Sequence, residues 1–205
     1  MNEVMKAVRF RHSCRAFQAG RAIPAEVLDE IVEAGRLAPS SLGMQPWHFL
    51  VAAKAELKAA LAEACGNQPQ IQGCSHFVVL LARKPHNYEA GSALMKEIFE
   101  AGKFPPERAA FVASRIEALQ DKLGWAKCQT YLAGAQMMLA AAGFGVDGCP
   151  IAASNPSGEA TAIARLVPGF PVADFEVAWN IAFGYRSGEQ PVRFTLPREK
   201  TVTVI

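Results

Sequence analysis

Two arginines flank a hydroxyl in Arg11-His12-Ser13-Cys14-Arg15. Such a grouping can hold a phosphate and a neighbouring polar group through charge-assisted hydrogen bonds. In a helical turn, the spacing of four would put both guanidinium groups on one face. Taken alone, the segment reads first as a solvated basic surface. A second candidate runs from Pro39 to His48 as PSSLGMQPWH. Its prolines frame serines, a glycine and a glutamine, a rigid loop rich in backbone and side-chain donors; an ordinary helix-to-strand connection would look the same. Gly66-Asn67-Gln68-Pro69-Gln70 supplies three side-chain amides in a loop ahead of an apolar run. Each amide donates and accepts at once, which the edge of a heterocycle requires. At the far end, an extended Pro197-Arg198-Glu199-Lys200 would turn Arg198 and Lys200 to one side, though a basic tail is commonly a solvated face.

The elements that must position these residues follow from periodicity. Residues 2–10 read as a short helix ending at the basic stretch. A firmer helix runs from Pro24 to about Leu37, with Val27, Leu28, Ile31 and Val32 as its apolar stripe and Pro39 beyond its end. Trp47–Ala53 and Ser75–Ala82 are apolar runs of strand length, with a helix from Lys54 to Ala64 between them. Helices are expected at about 88–101, 106–122 and 125–142, a strand at Phe144–Gly148, a short helix at Ala160–Leu166 and a strand at Phe175–Tyr185. No GxGxxG follows a strand and no regular βαβ rhythm is present. The expected class is α+β, a central sheet covered by helices.

Composition narrows the function classes. The 205 residues suit one domain with a substantial core, 51% of them hydrophobic and 20% charged. A formal net charge of +2 argues against a basic groove for nucleic acid. Five cysteines without a CxxC pair point away from a disulfide scaffold or zinc knuckle and toward a reducing, cytoplasmic compartment. The stretch from Thr130 to Val146 holds Gln136 and three glycines, so it reads as a core helix and not a membrane span.

Taken together, the pieces resemble the bacterial oxygen-insensitive nitroreductase family. They stand in family order: Arg11 to Phe17, Pro39 to Phe49, Gly66 to Gln70, Ser75 to Val79, and Thr195 to Lys200. The resemblance implies a nitroreductase-like sandwich whose central sheet is mostly antiparallel, and an intertwined homodimer with FMN at the subunit interface. On that basis Arg11 and Ser13, with His12 between them, and Arg198 and Lys200 from the tail, bind the FMN phosphate. Arg15 meets the pyrimidine side of the ring, and Asn67 and Gln70 meet the ring or ribityl chain. Pro39, Ser40, Ser41 and Gln45 match a loop that reaches the cofactor of the other protomer. Pro150, Ile151, Ala152 and Ala153 match the family's P-[IM]-E-G loop near flavin N5, but alanines stand where the acid and glycine are usual. Phe111 matches a position where an aromatic lids the site; by itself it reads as core packing.

The implied activity is an FMN-dependent oxidoreductase. It passes hydride from NADH or NADPH to a small electron-poor acceptor, a nitroaromatic or a quinone, by a ping-pong scheme without metal, nucleic acid or membrane. Arg15 would stabilise negative charge on the ring. A flavin carrier or regulator without turnover is the alternative from another class, and a flavin-free anion-binding domain is a third.

Overall fold

The computed structural model of the protein describes residues 2–152 and 154–205. Four strands form one sheet in the order β1-β2-β4-β3: β1 (Trp47–Ala52), β2 (His76–Arg83), β3 (Asp147–Ile151) and β4 (Phe175–Gly184). All three pairings are antiparallel, with Leu50 opposite Val79, Val79 opposite Asn180, and Cys149 opposite Ala182. A bulge interrupts the β2–β4 register between Leu80 and Leu81.

Both faces of this sheet are covered, which is why β2 is a continuous apolar run and not an alternating one. Phe77, Val79 and Leu81 pack on one side with Leu57 and Leu61 of α3 (Ala55–Ala64) and Ile163 of α8 (Pro156–Leu166). Val78 and Leu80 pack on the other with Ile31 of α2 (Ala25–Arg36) and Met137 and Ala141 of α7 (Lys122–Gly143). At 22 residues α7 is about 33 Å long. It starts where Asp121 caps the Gly124 N–H at 2.7 Å and lies directly on the sheet at Gly134. A Cβ there would stand 2.2 Å from the Trp179 ring, so only glycine permits this approach. Trp179 Nε1 donates to Thr130 Oγ1 at 3.0 Å, which satisfies the buried indole.

The remaining helices are α1 (Glu3–Phe10), α4 (Pro69–Gly73), α5 (Ala93–Ala101) and α6 (Pro106–Glu117). The last two gather a separate cluster around Met44, Tyr88, Met95, Val112 and Ile116. Among the described residues no helix is long and apolar enough to cross a membrane.

Several expected boundaries move. The strand expected at Phe144–Gly148 lies at Asp147–Ile151, because Phe144 caps α7 and Gly145 takes φ +70°. Val146 N then donates back to Ala141 O at 2.9 Å, so the chain is still leaving the helix there. α8 starts at Pro156, four residues earlier than expected, with Asn155 capping the Gly158 N–H. α4 begins at Pro69 inside the amide-rich loop, where proline suits a first helical position.

Candidate functional site

The Arg11–Arg15 segment is extended and not a helical turn. α1 ends at Phe10, Arg11 takes φ −60° and ψ 127°, and Ser13 then forms a parallel bridge with Gly148 of β3. Cys14 N donates to Gly148 O at 3.3 Å. Two-residue alternation therefore sorts the side chains. Ser13 and Arg15 are exposed and Arg11 half-buried, while Cys14 is buried. The two arginines do share a side with Ser13, for a different geometric reason than a helix would supply.

His12 falls on the opposite side, which corrects its place among the donors. Its side chain is only 10% exposed, and Nδ1 lies 3.2 Å from Asp147 Oδ1. Burial lowers the imidazole pKa; Asp147 opposes that shift and Arg186 adds to it. Asp147 is the centre of a buried knot that the sequence did not reveal. Arg186 Nε donates to its Oδ2 at 2.9 Å, Nη2 to Oδ1 at 2.7 Å, and the Arg186 backbone N–H to Oδ2 at 3.2 Å. The same guanidinium lies 4.2 Å over the Phe10 ring. Asp147 opens β3 and Arg186 follows β4, whose register sets Asp147 opposite Gly184. That pairing was the missing signal.

β3 carries the next group. Pro150 and Ala152 are exposed and Ile151 is buried, while Ala153 lies outside the described residues. Burial raises the Cys149 thiol pKa and Arg15 opposes it, so Arg15 stands close to this strand. Nearby, Gly66 and Asn67 both take positive φ, +70° and +53°, which turns the exposed Asn67 away from α3. Gln70 does not join it. Placed on α4 and 5% exposed, it donates to Gln68 Oε1 at 2.6 Å.

The Pro39–Gln45 loop lies elsewhere. Leu42 (φ +60°) and Gln45 (φ +44°) are held in the left-handed region, a conformation that costs energy and recurs in ligand loops. Two side-chain bonds help hold the loop, Ser41 N to Gln129 Oε1 and Gln45 N to Ser40 Oγ, both 2.9 Å, beside backbone bonds within it such as Gly43 N to Ser40 O. Pro39, Ser41 and Gln45 are exposed. The loop leads into β1, whereas the Arg11–Arg15 segment borders β3 at the other edge of the sheet. Three inter-strand steps of about 4.8 Å separate those edges by roughly 14 Å, so one chain does not bring the two groups together.

Phe111 is 58% exposed on α6, not core packing. Arg198 and Lys200 sit in an exposed turn. The residue of the tail that reaches the Arg11–Arg15 segment is Arg193, which donates to the carbonyls of Val8 (3.2 Å), Arg9 (3.4 Å) and Arg11. A concavity of about 650 Å³ lies beside β1 against α5 and is lined by Met44, Trp47, Phe49, Arg83, Phe104 and Arg108.

A Staphylococcus epidermidis protein named as an NAD(P)H nitroreductase is 33% identical over 202 residues, covering 92% of this chain and 90% of its own. YfkO of Bacillus subtilis, also named for that activity, is 31% identical over 219 residues, covering 99% and 94%. Among solved structures, an Exiguobacterium sibiricum protein named for nitroreductase and crystallised with FMN superposes with a TM-score of 0.82 at 24% identity, covering 100% of this chain and 98% of that one. The enone reductase CLA-ER superposes at 0.79 with 20% identity, covering 100% and 99%. These structures share the fold. With residues 8–185 matched by the sequence model of the Nitroreductase family, this chain belongs to that family.

Proposed function

We propose that this protein is an FMN-dependent reductase, one domain per chain and two chains per molecule. It takes hydride from NADH or NADPH and reduces a small electron-poor acceptor, such as a nitroaromatic or a quinone, in a ping-pong cycle. The observation that carries this reading is the Ser13–Gly148 seam. It brings the exposed Ser13 and Arg15 and the half-buried Arg11 alongside β3, in a chain of the nitroreductase family.

The donor set fits FMN. Two guanidinium groups and a hydroxyl suit a phosphate, and the Asn67 amide suits the donor–acceptor edge of the ring. Ala152, exposed and small, leaves its backbone open to the flavin edge. Bound FMN supplies the hydride chemistry. Arg11 and Ser13 anchor the phosphate end, and Arg15 holds a permanent positive charge where negative charge develops on the pyrimidine side. The Asp147–Arg186 pair fixes the back of the segment, so the donors are oriented before any ligand arrives. Without an acid at position 152, acceptor and water positioning there fall to the backbone.

A second copy of the chain completes the site. Val192 and Phe194 are 98% and 84% exposed, and Leu196 continues the alternation on the side of the tail away from the Arg193 contacts. Tyr131 and Leu132 add apolar surface on α7. Apolar area on this scale asks for a cover, and β1 offers an open strand edge. Dimerisation would bring the Pro39–Gln45 loop of one protomer, and the tail's Arg198 and Lys200, to the cofactor held at β3.

The test is an anaerobic absorbance titration of FMN-reconstituted protein, with light scattering for mass. A flavin band bleached by NADH or NADPH and restored by a nitroaromatic, in a particle of twice the chain mass, is the expected result. A bound flavin that neither nicotinamide bleaches would overturn the reductase in favour of a carrier. A monomer with full turnover would overturn the shared site.

A further inference from the structure

Beneath the two segments that face the cofactor lies a buried polar cluster with no role in the reading above. Glu159, in the first turns of α8, and Asn180, in β4, are both 0% exposed. Among the described residues, neither carboxyl oxygen of Glu159 has a well-formed hydrogen bond, and Asn180 Oδ1 also lacks one. Asn180 Nδ2 points at Cys65 Sγ, 3.7 Å away. The groups that act on the Glu159 carboxyl are the side chains of Ser154, Asn180 and Cys65, all of them neutral. Burial raises the Glu159 pKa, the Ser154, Asn180 and Cys65 side chains oppose that shift, and burial pushes the Cys65 thiol up to about 12.

The donor inventory decides the chemistry. An ionised carboxylate only accepts, so it leaves the Asn180 oxygen orphaned and its own charge uncompensated in the core. A neutral carboxyl carries one O–H donor and can serve that oxygen, while its carbonyl accepts from Ser154 or Cys65. One proton thus satisfies the carboxyl and the amide together.

The position of the cluster gives this proton a consequence. Cys65 closes α3 and begins the Gly66–Asn67 turn, where Asn67 N donates to Ala62 O at 2.8 Å. Ser154 belongs to the loop leaving β3, and its neighbour Asn155 N donates to Ala64 O at 3.0 Å. Asn180 lies opposite Ile151 in the β3–β4 register. Three elements therefore converge on one carboxyl, and two of them continue into Asn67 and Ala152.

We propose that Glu159 is a positioning residue: its carboxyl joins the Cys65–Asn67 turn to the loop after β3 and sets the spacing between Asn67 and the Ala152 backbone at the flavin. This rests on the FMN reading above, so the experiment separates the two. Glu159→Gln keeps one donor and one acceptor in the same volume, whereas Glu159→Leu removes both. FMN affinity is measured by fluorescence quenching on reconstitution, and the flavin environment by visible circular dichroism. E159Q is expected within about twofold of wild type with an unchanged dichroism spectrum. E159L is expected to bind FMN at least tenfold more weakly with an altered spectrum. A folded E159L that matches wild type in both would overturn the positioning role and leave the FMN reading standing. Wild-type protein that takes up no FMN overturns both. Where E159L fails to fold, a titration upward from about pH 4.5 decides. Wild type is expected to lose FMN affinity with rising pH more steeply than E159Q, and identical profiles would overturn the proposal.

Discussion

Asp147 and Glu159 are twelve residues apart in sequence and both are buried, yet they are built in opposite ways. Asp147 is met by a bidentate guanidinium, a backbone N–H and an imidazole. Among the described residues, Glu159 is met by a hydroxyl, an amide and a thiol. Burial alone does not determine what a carboxyl does; the donors within reach determine it. The first can be a structural anion that ties the Arg11–Arg15 segment to β3. The second lies among neutral side chains, where burial raises its pKa and favours the protonated form.

The most severe test of the contrast is Asp147→Ala. It leaves the mostly buried Arg186 guanidinium without its partner and should cost about 3–5 kcal/mol. Urea denaturation would read this, and a loss below about 1 kcal/mol would remove the distinction between the two sites. Arg15→Ala sharpens the comparison from the other side, because Arg186 is committed to the fold whereas Arg15 faces outward. That variant should keep its denaturation midpoint and lose roughly 100-fold or more in the rate of flavin reduction by NAD(P)H, as for a lost anion-stabilising donor. Stopped-flow rates equal to wild type would remove Arg15 from the chemistry.

Glu159→Gln gives the next effect, and its sign can be worked out. The folded pKa of Glu159 is raised above the ordinary value of 4.5, so its stabilising contribution is complete below 4.5 and declines as pH rises toward the folded pKa. Over that window wild type should lose up to about 1.4 kcal/mol per pH unit relative to E159Q. Parallel stability–pH curves for the two proteins would show the carboxyl to be ionised. The smallest effect comes from His12, whose folded pKa is lowered below 6.5. Its contribution is complete above 6.5 and declines as pH falls, so the Asp147 knot should weaken as pH falls and the Glu159 cluster as pH rises above 4.5. His12→Asn should flatten the acid limb by less than about 1.4 kcal/mol per pH unit. A limb that persists in this variant would assign it to another group.

Much of the scaffold was legible because its signals are local. The apolar stripe of α2, the continuous apolar β2 and the long β4 were all readable from periodicity, and the order of the motifs carried the family. The misreadings have equally local causes. Arg11 to Arg15 has the spacing of a helical turn, but its backbone partner is Gly148, far along the chain. Gln70 looked equivalent to Asn67 until Pro69 started a helix between them. Gly145 displaced β3 by taking a left-handed φ that a strand reading does not anticipate.

The sequence by itself determined the α+β class, the order of the elements and which residue types could greet a phosphate and a heterocycle, since these depend on neighbours within a few positions. Only the tertiary structure decided which side of the Arg11–Arg15 segment faces out, and which buried carboxyl is paired and which is left among neutral groups. Asp147 meets Arg186 across 39 residues, and Asn180 meets Cys65 across 115. The state of a buried acid is set by desolvation and by donors brought from that far away, and no local pattern encodes either.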